Sequence, residues 1–147
     1  MNTASLILQG IIAALRAAPQ IVEVATEAKN FVAALFTANH LRVKAIAALT
    51  QSGSTALWMS RHNAGCPIFA LTPEVSAQRR MALYRNVRPL YLEQSSDREG
   101  VLRAAEDLLL AKGQVQMGDM IVLTNGEPMG KSGGTNALKI VRVGEHR

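Results

Sequence analysis

The chain has 147 residues, 48% of them hydrophobic, which suits one compact domain with a sizeable core. Charged residues make up 18%, low enough that part of the surface is expected to face a partner. The net charge is +5, but Arg16, Lys29, Arg42, Lys44, Arg61, Arg79, Arg80, Arg85 and Arg88 are scattered and no aromatics interleave them. That pattern argues against nucleic acid and for attraction to anionic metabolites.

Taken in chain order, Ala4 to Leu15 is apolar but has no basic region before it. It is also too short to span a bilayer, so neither secretion nor a membrane partner is expected. Ser5 to Arg16 reads as a short helix ended near Pro19. Residues 1–20 are separable from the domain expected over residues 21–147. A second helix is expected from Ile21 to His40, with Val24, Ala28, Phe31, Leu35 and Ala38 at helical spacing.

Val43 to Leu49 is nearly all apolar and of strand length, as suits a strand buried on both faces. Thr50 to Thr55 then turns into a helix that runs to about His62. Cys66, the single cysteine, cannot form an internal disulfide, and a reducing compartment fits it. Lying just before an apolar run, it reads as a small buried hydrophobe.

Pro67 to Leu71 is a second strand. Thr72-Pro73-Glu74 is a helix-start signature, with a hydroxyl cap, a proline in the first turn and an acid near the positive end. That helix is expected to end near Tyr84, and Val87 to Leu92 is the third strand. Ser96 and Glu99 have capping-box spacing for a helix that stops at Gly113. Met120 to Thr124 is the fourth strand, and Ala137 to Val143 the fifth.

Strands alternating with helices imply a three-layer α/β/α fold with a five-stranded, mainly parallel sheet. The last two strands lack a helix between them, so the fifth is expected antiparallel at an edge.

In such sheets ligands sit beyond the carboxyl ends of the strands. The first strand delivers Thr50, Ser52, Gly53, Ser54 and Thr55 there. Glycine permits close backbone approach, the hydroxyls donate hydrogen bonds and a helix start offers free N–H groups. Together they make a phosphate cradle. A plain helix cap with a permissive glycine fits the same residues, and chemistry alone leaves both open. A second glycine-rich loop, Gly126 to Asn136, follows the fourth strand. If that strand lies beside the first, both loops reach the same edge and Lys131 is a cation available to the same anion; a flexible hairpin connection with a solvated lysine fits the same loop. It is not a Walker A loop: three residues separate Gly126 from Gly130, and a strand follows.

At these residues the sequence closely resembles the C-terminal α/β domain of bacterial pyruvate kinases. The resemblance runs through Ala38 to Leu41, Lys44 to Ile46, Leu49 to Leu57, Pro67 to Thr72, Ala82 to Arg85, and Gly126 to Asn136. It implies a regulatory domain that binds a phosphorylated allosteric effector at Thr50, Ser52, Gly53, Ser54 and Thr55, with the Lys131, Ser132 and Gly133 loop closing over it. It also implies a homo-oligomer and a cytoplasmic location. Ser54, Pro128 and Met129 stand where many family members have arginine, tryptophan or a basic residue. A sugar monophosphate or a nucleotide monophosphate therefore fits at least as well as a bisphosphate. Trp58, on the helix after the first loop, is expected to pack.

The family's catalytic barrel needs roughly 200 residues or more, so no catalytic residue is expected in this chain. The resemblance implies Mg and K ions for a full-length pyruvate kinase and no cofactor in this chain. His40, His62 and His146 show no metal-ligand spacing. Two other functions fit part of the pattern. One is a small sugar-phosphate enzyme, with His40 or Glu127 as its base. The other is a structural dimerisation domain without effector binding.

Overall fold

A computed structural model of the chain describes residues 27–125 and 137–145. The boundary expected at residue 20, the helix Ser5–Arg16 and the start of the second helix lie outside the described residues. The elements run α1 (Glu27–Leu41), β1 (Ala45–Leu49), α2 (Ser54–Ser60), β2 (Ile68–Thr72) and α3 (Val75–Met81). They continue with β3 (Val87–Tyr91), α4 (Arg98–Ala111), β4 (Met120–Asn125) and β5 (Ala137–Arg142).

The sheet has five strands in the order β3-β2-β1-β4-β5. All neighbours are parallel except β4 and β5, which pair antiparallel at the edge, as the missing helix required. The chain steps outward from β1 to β3, then returns to the other side of β1 as β4. In open α/β sheets ligand sites form at such a reversal, here beyond the carboxyl ends of β1 and β4.

Alternation along the strands divides the core into two layers. Ile46, Ala48, Ile68, Ala70 and Val122 pack with Ala34, Leu35 and Ala38 of α1, Ala56 and Met59 of α2, and Ala77 and Met81 of α3. Ala45, Ala47, Phe69, Leu71, Ile121 and Leu123 pack on the opposite face with Leu102, Ala105 and Leu109 of α4. Burial on both faces is why β1 and β2 read as unbroken apolar runs. No helix among the described residues is long and apolar enough to cross a membrane.

The expected helix boundaries needed three corrections. Ser96 and Glu99 do not form a capping box: the cap position is Asp97, with no side-chain cap bond, and α4 starts at Arg98. Glu99 is thereby second in the helix, one place short of the reciprocal bond, and Ser95 Oγ accepts from the Asp97 N–H instead (3.1 Å). Thr72 is not the cap of α3, because it still belongs to the β2 ladder, opposite Tyr91. Pro73 consequently precedes α3, whose cap position is Glu74. The end of α4 matches its expectation: Gly113 takes φ +66°, and the Gly113 and Gln114 N–H groups bond back to Leu110 and Leu109 (2.9 and 3.0 Å).

Candidate functional site

The loop after β1 is tied to its surroundings by several hydrogen bonds. It begins as an extension of the strand, with the Thr50 N–H donating to the Leu71 carbonyl of β2 (3.0 Å). Gly53 then turns the chain at φ +87°, where a Cβ would be strained, and its carbonyl starts α2 by accepting from Leu57 (2.9 Å). A Cβ on Gly53 would also lie 2.8 Å from Cγ of Met81 in α3. The glycine is therefore needed both for the turn and for the close approach of a second helix.

Hydroxyls organise the rest. Thr50 Oγ1 accepts from the Gly53 N–H (3.0 Å). Ser52 Oγ lies 3.2 Å from Ser54 Oγ and 3.4 Å from the Ser54 N–H. Thr72 Oγ1 donates to the Gln51 carbonyl (3.3 Å) and accepts from the Glu74 N–H (3.1 Å), so the end of β2 is stitched to the loop. Gln51 Nε2 reaches Gln94 Oε1 beyond β3 (2.8 Å). Ser54 is exposed, Ser52 and Thr55 are half-buried, and Gly53 is buried.

The expectation that the turn amides stand free is not met at Gly53 and Ser54, whose N–H groups face the loop's own hydroxyls. The Ser52–Ser54 contact is long for a hydrogen bond and easily exchanged for a stronger anionic acceptor. Helix α2 has seven residues, so its dipole contributes little beside the hydroxyls. It has no acid in its first turn to repel an anion.

Two further features belong to this edge of the sheet. Arg80, in the last turn of α3, donates from Nη2 to the Ser52 carbonyl (3.2 Å). Thr124 and Asn125, at the carboxyl end of β4, are 0% and 3% exposed, yet Thr124 Oγ1 and Asn125 Nδ2 have no hydrogen-bond partner among the described residues. Thr124 lies opposite Ala48 of β1. Strand alternation puts it on the Val122 face, the one covered by α1 and α2.

The structure brings Thr50, Ser52, Gly53, Ser54 and Thr55 together at the carboxyl edge. Lys131, Ser132 and Gly133 lie outside the described residues, as does Glu127. Sequence reasoning missed Arg80 and Thr72 as neighbours of the loop. Thr72 carried a signal as the hydroxyl residue ending the adjacent strand. Arg80 carried none, since its contact spans 28 residues and depends on how α3 packs.

Other singled-out residues fall elsewhere. His40 stacks on Phe36 (5.7 Å) near the end of α1, just before β1 begins. The five residues of β1, at roughly 3.3 Å each, separate that edge from the Thr50 loop, so His40 is not placed to act there. Trp58 is 44% exposed beneath the Arg61 guanidinium (4.6 Å), which corrects its expected packing role. Cys66 is buried as expected, and burial pushes its thiol pKa up despite a hydrogen bond from the Ile46 backbone that lowers it. Among the described residues no group of three or more His, Cys, Asp or Glu could hold a metal ion.

Comparison with known proteins decides the ancestry of this arrangement. The profile of the family described as "Pyruvate kinase, alpha/beta domain" matches residues 30–141, which contain every described element from α1 onward apart from the first residues of α1 and the last of β5. This chain belongs to the pyruvate kinase alpha/beta domain family. A pyruvate kinase of Buchnera aphidicola (subsp. Baizongia pistaciae) is 41% identical over 113 residues, 75% of this chain and 23% of that protein. Pyruvate kinase II of Salmonella typhimurium is 39% identical over 111 residues, 75% of this chain and 23% of that protein. A pyruvate kinase of Sporosarcina psychrophila is 34% identical over 113 residues, 77% of this chain and 19% of that protein. The pyruvate kinase alpha/beta domain thus accounts for most of this chain and for about a fifth to a quarter of those relatives.

Proposed function

We propose that this pyruvate kinase alpha/beta domain is a regulatory module that binds a phosphorylated metabolite through Thr50, Ser52, Gly53, Ser54 and Thr55. Lys131, Ser132 and Gly133 complete the site from the second loop. It carries no catalytic centre, needs no metal of its own and serves a cytoplasmic, homo-oligomeric pyruvate kinase. The observation that supports this most is topological: the hydroxyl-bearing loop leaves β1 where β4 returns beside it, the place where open α/β sheets form ligand crevices.

Ligand chemistry follows from the residues. The loop offers one compact set of hydroxyl donors, and Ser54 places no cation at its own position. That suits one phosphate group of a sugar or nucleotide monophosphate. The exposed Trp58 and Leu41, 44% and 43% accessible, support contact with a second copy.

A thermal-shift panel of sugar phosphates and nucleotides tests the proposal. A ligand at a hundred times its dissociation constant stabilises the fold by about 2.7 kcal/mol. Ser52→Ala with Thr55→Ala is expected to abolish the shift; an unchanged shift removes the loop from the binding site.

The hydrogen bonds that Gly53 and Ser54 already make within the loop favour one competing reading, a dimerisation domain without effector binding. A stable dimer by light scattering with no response to any phosphate ester selects it.

A further inference from the structure

At the amino edge of the sheet, the end opposite the Thr50 loop, lies a cleft of about 620 Å³. That volume is in the range of small-molecule sites. Arg42, Lys44 and Arg88 line it against one acid, Asp119, which leaves a surplus of two positive charges. A surplus alone is no site, since basic residues gather at helix ends to offset the dipole. Three features go beyond it.

Arg42 stands in the left-handed region, at φ +50°. The Val43 N–H donates back to the Ala38 carbonyl (3.1 Å), the bond that closes a helix through a left-handed residue, ordinarily glycine or asparagine. Asn86, the other non-glycine residue at positive φ among the described residues, suits that region and donates from Nδ2 to the Cys66 carbonyl (2.8 Å). Arg42 has no such compensation: among the described residues its side chain has no hydrogen-bond or ion-pair partner. Backbone strain kept without a structural return is characteristic of functional positions.

Arg88 is held in place. Its Nη1 donates to Gln114 Oε1 (3.1 Å), and Gln114 is itself oriented by its bond to the Lys112 carbonyl (3.0 Å). The guanidinium lies 5.8 Å from the centre of the Phe69 ring. Among the described residues no carboxylate pairs with it, and one bond leaves most of its five donors for another acceptor. Asp119, finally, does not neutralise the cleft. Its Oδ2 accepts from the Gln116 N–H (2.8 Å), so this acid serves its own turn.

Arg42 and Lys44 lead into β1 whereas Arg88 lies in β3, and β2 runs between them. At about 4.8 Å per strand their backbones are roughly 10 Å apart. Two anionic groups on one small body match that spacing better than one. Two carboxylates also match the surplus of charge, whereas two phosphates bring about −3 to −4. We propose that this cleft binds a small dicarboxylate, one carboxylate on the Arg88 fork and the other at Arg42 and Lys44. The site is separate from the phosphate loop and does not depend on it.

The test is titration of the ¹⁵N-labelled chain with succinate, acetate and pyrophosphate, followed by amide NMR shifts, for wild type, R42G, R88Q and K112Q. Succinate is expected to shift the amides of Lys44, Gly65 and Gly113 and to leave those of Gly53 and Ser54 in place. Its affinity is expected to fall about tenfold or more in R88Q, as loss of a charged hydrogen bond implies, and severalfold in R42G. K112Q removes a charge outside the lining and is expected to stay within about twofold of wild type. Acetate is expected to bind at least about tenfold more weakly, and pyrophosphate no tighter than succinate. Without ligand, R42G is expected to melt above wild type, because glycine relieves the left-handed turn.

No shift at the cleft amides, R88Q binding as well as wild type, or K112Q falling as far as R88Q overturns the site. Acetate as tight as succinate, or pyrophosphate tighter, overturns the ligand class. R42G melting below wild type overturns the reading of Arg42 as strained for its charge. Should R88Q melt lower than wild type without ligand, R42G decides: weakened succinate binding upholds the site, and unchanged binding overturns it. The proposed function stands in every case, since its phosphate esters are read at the other end of the strands.

Discussion

The two ends of the same parallel strands are built on different principles. At the carboxyl edge, Gly53 closes on Met81, Thr72 stitches β2 to Gln51, and the hydroxyls of Thr50 and Ser52 tie the turn internally. At the amino edge lies an open cleft of about 620 Å³, with Arg42, Lys44, Arg88 and Asp119 among its lining. Among the described residues the amino edge carries more positive charge and the carboxyl edge more side-chain ties. Cations gather at the amino edge partly because helices end there: Arg42 follows the last residue of α1, and Lys112 follows the last of α4. Basic side chains at helix C-termini offset the dipole without any ligand. The contrast teaches that a cation count does not locate a site, whereas a turn fixed by glycine, hydroxyls and a neighbouring helix does.

Four variants break or sharpen this contrast. The largest effect is expected from Gly53→Ala, which combines a strained φ with overpacking against Met81. Urea unfolding should show a loss of about 2–4 kcal/mol. A loss below about 1 kcal/mol would mean that the turn and α3 relax freely and that the carboxyl edge is less rigid than argued. Next comes Thr72→Val, which keeps shape but leaves the Gln51 carbonyl and the Glu74 N–H without that hydroxyl. A loss of about 1–2 kcal/mol is expected, again by urea unfolding.

Gly65→Ala is the matching glycine at the amino edge. A Cβ there would approach only the end of the Asn39 side chain, and Gly65 has no positive φ. Its expected cost is about 1 kcal/mol or less, and a cost equal to that of Gly53→Ala would erase the difference between the edges. The smallest effect is expected from the triple change Arg42→Gln, Lys44→Gln and Arg88→Gln. Titration with glucose 6-phosphate should show affinity within about twofold of wild type, since screening weakens charges across the domain. A large loss would move the anion site to the amino edge.

Much of the fold was legible before any coordinates. Val43 to Leu49 read as a strand buried on both faces and Pro67 to Leu71 as a short strand; the strands run Ala45–Leu49 and Ile68–Thr72, and all of their residues but Leu49 are buried. The antiparallel edge followed from the absence of a helix between the last two strands. The position of Thr50 to Thr55 at a strand-to-helix junction on the carboxyl edge was legible, although a plain helix cap fits the same residue types. Its bonding was not. Whether Gly53 and Ser54 present free amides depends on the rotamers of Thr50 and Ser52. Those rotamers are set by packing, which a one-dimensional pattern does not encode. Ser96 and Glu99 failed for a related reason: the three-residue spacing was present, but the helix entered one residue later.

The sequence by itself determined element type, the direction of the strands and the residues that reach the carboxyl edge. These depend on local periodicity and on connection length, both carried by neighbours in the chain. Tertiary structure alone decided that β4 returns beside β1, that Met81 sits under Gly53, and that Arg80 meets Ser52. Each of those joins segments tens of residues apart, and close packing of the core settles such contacts once the layers are assembled.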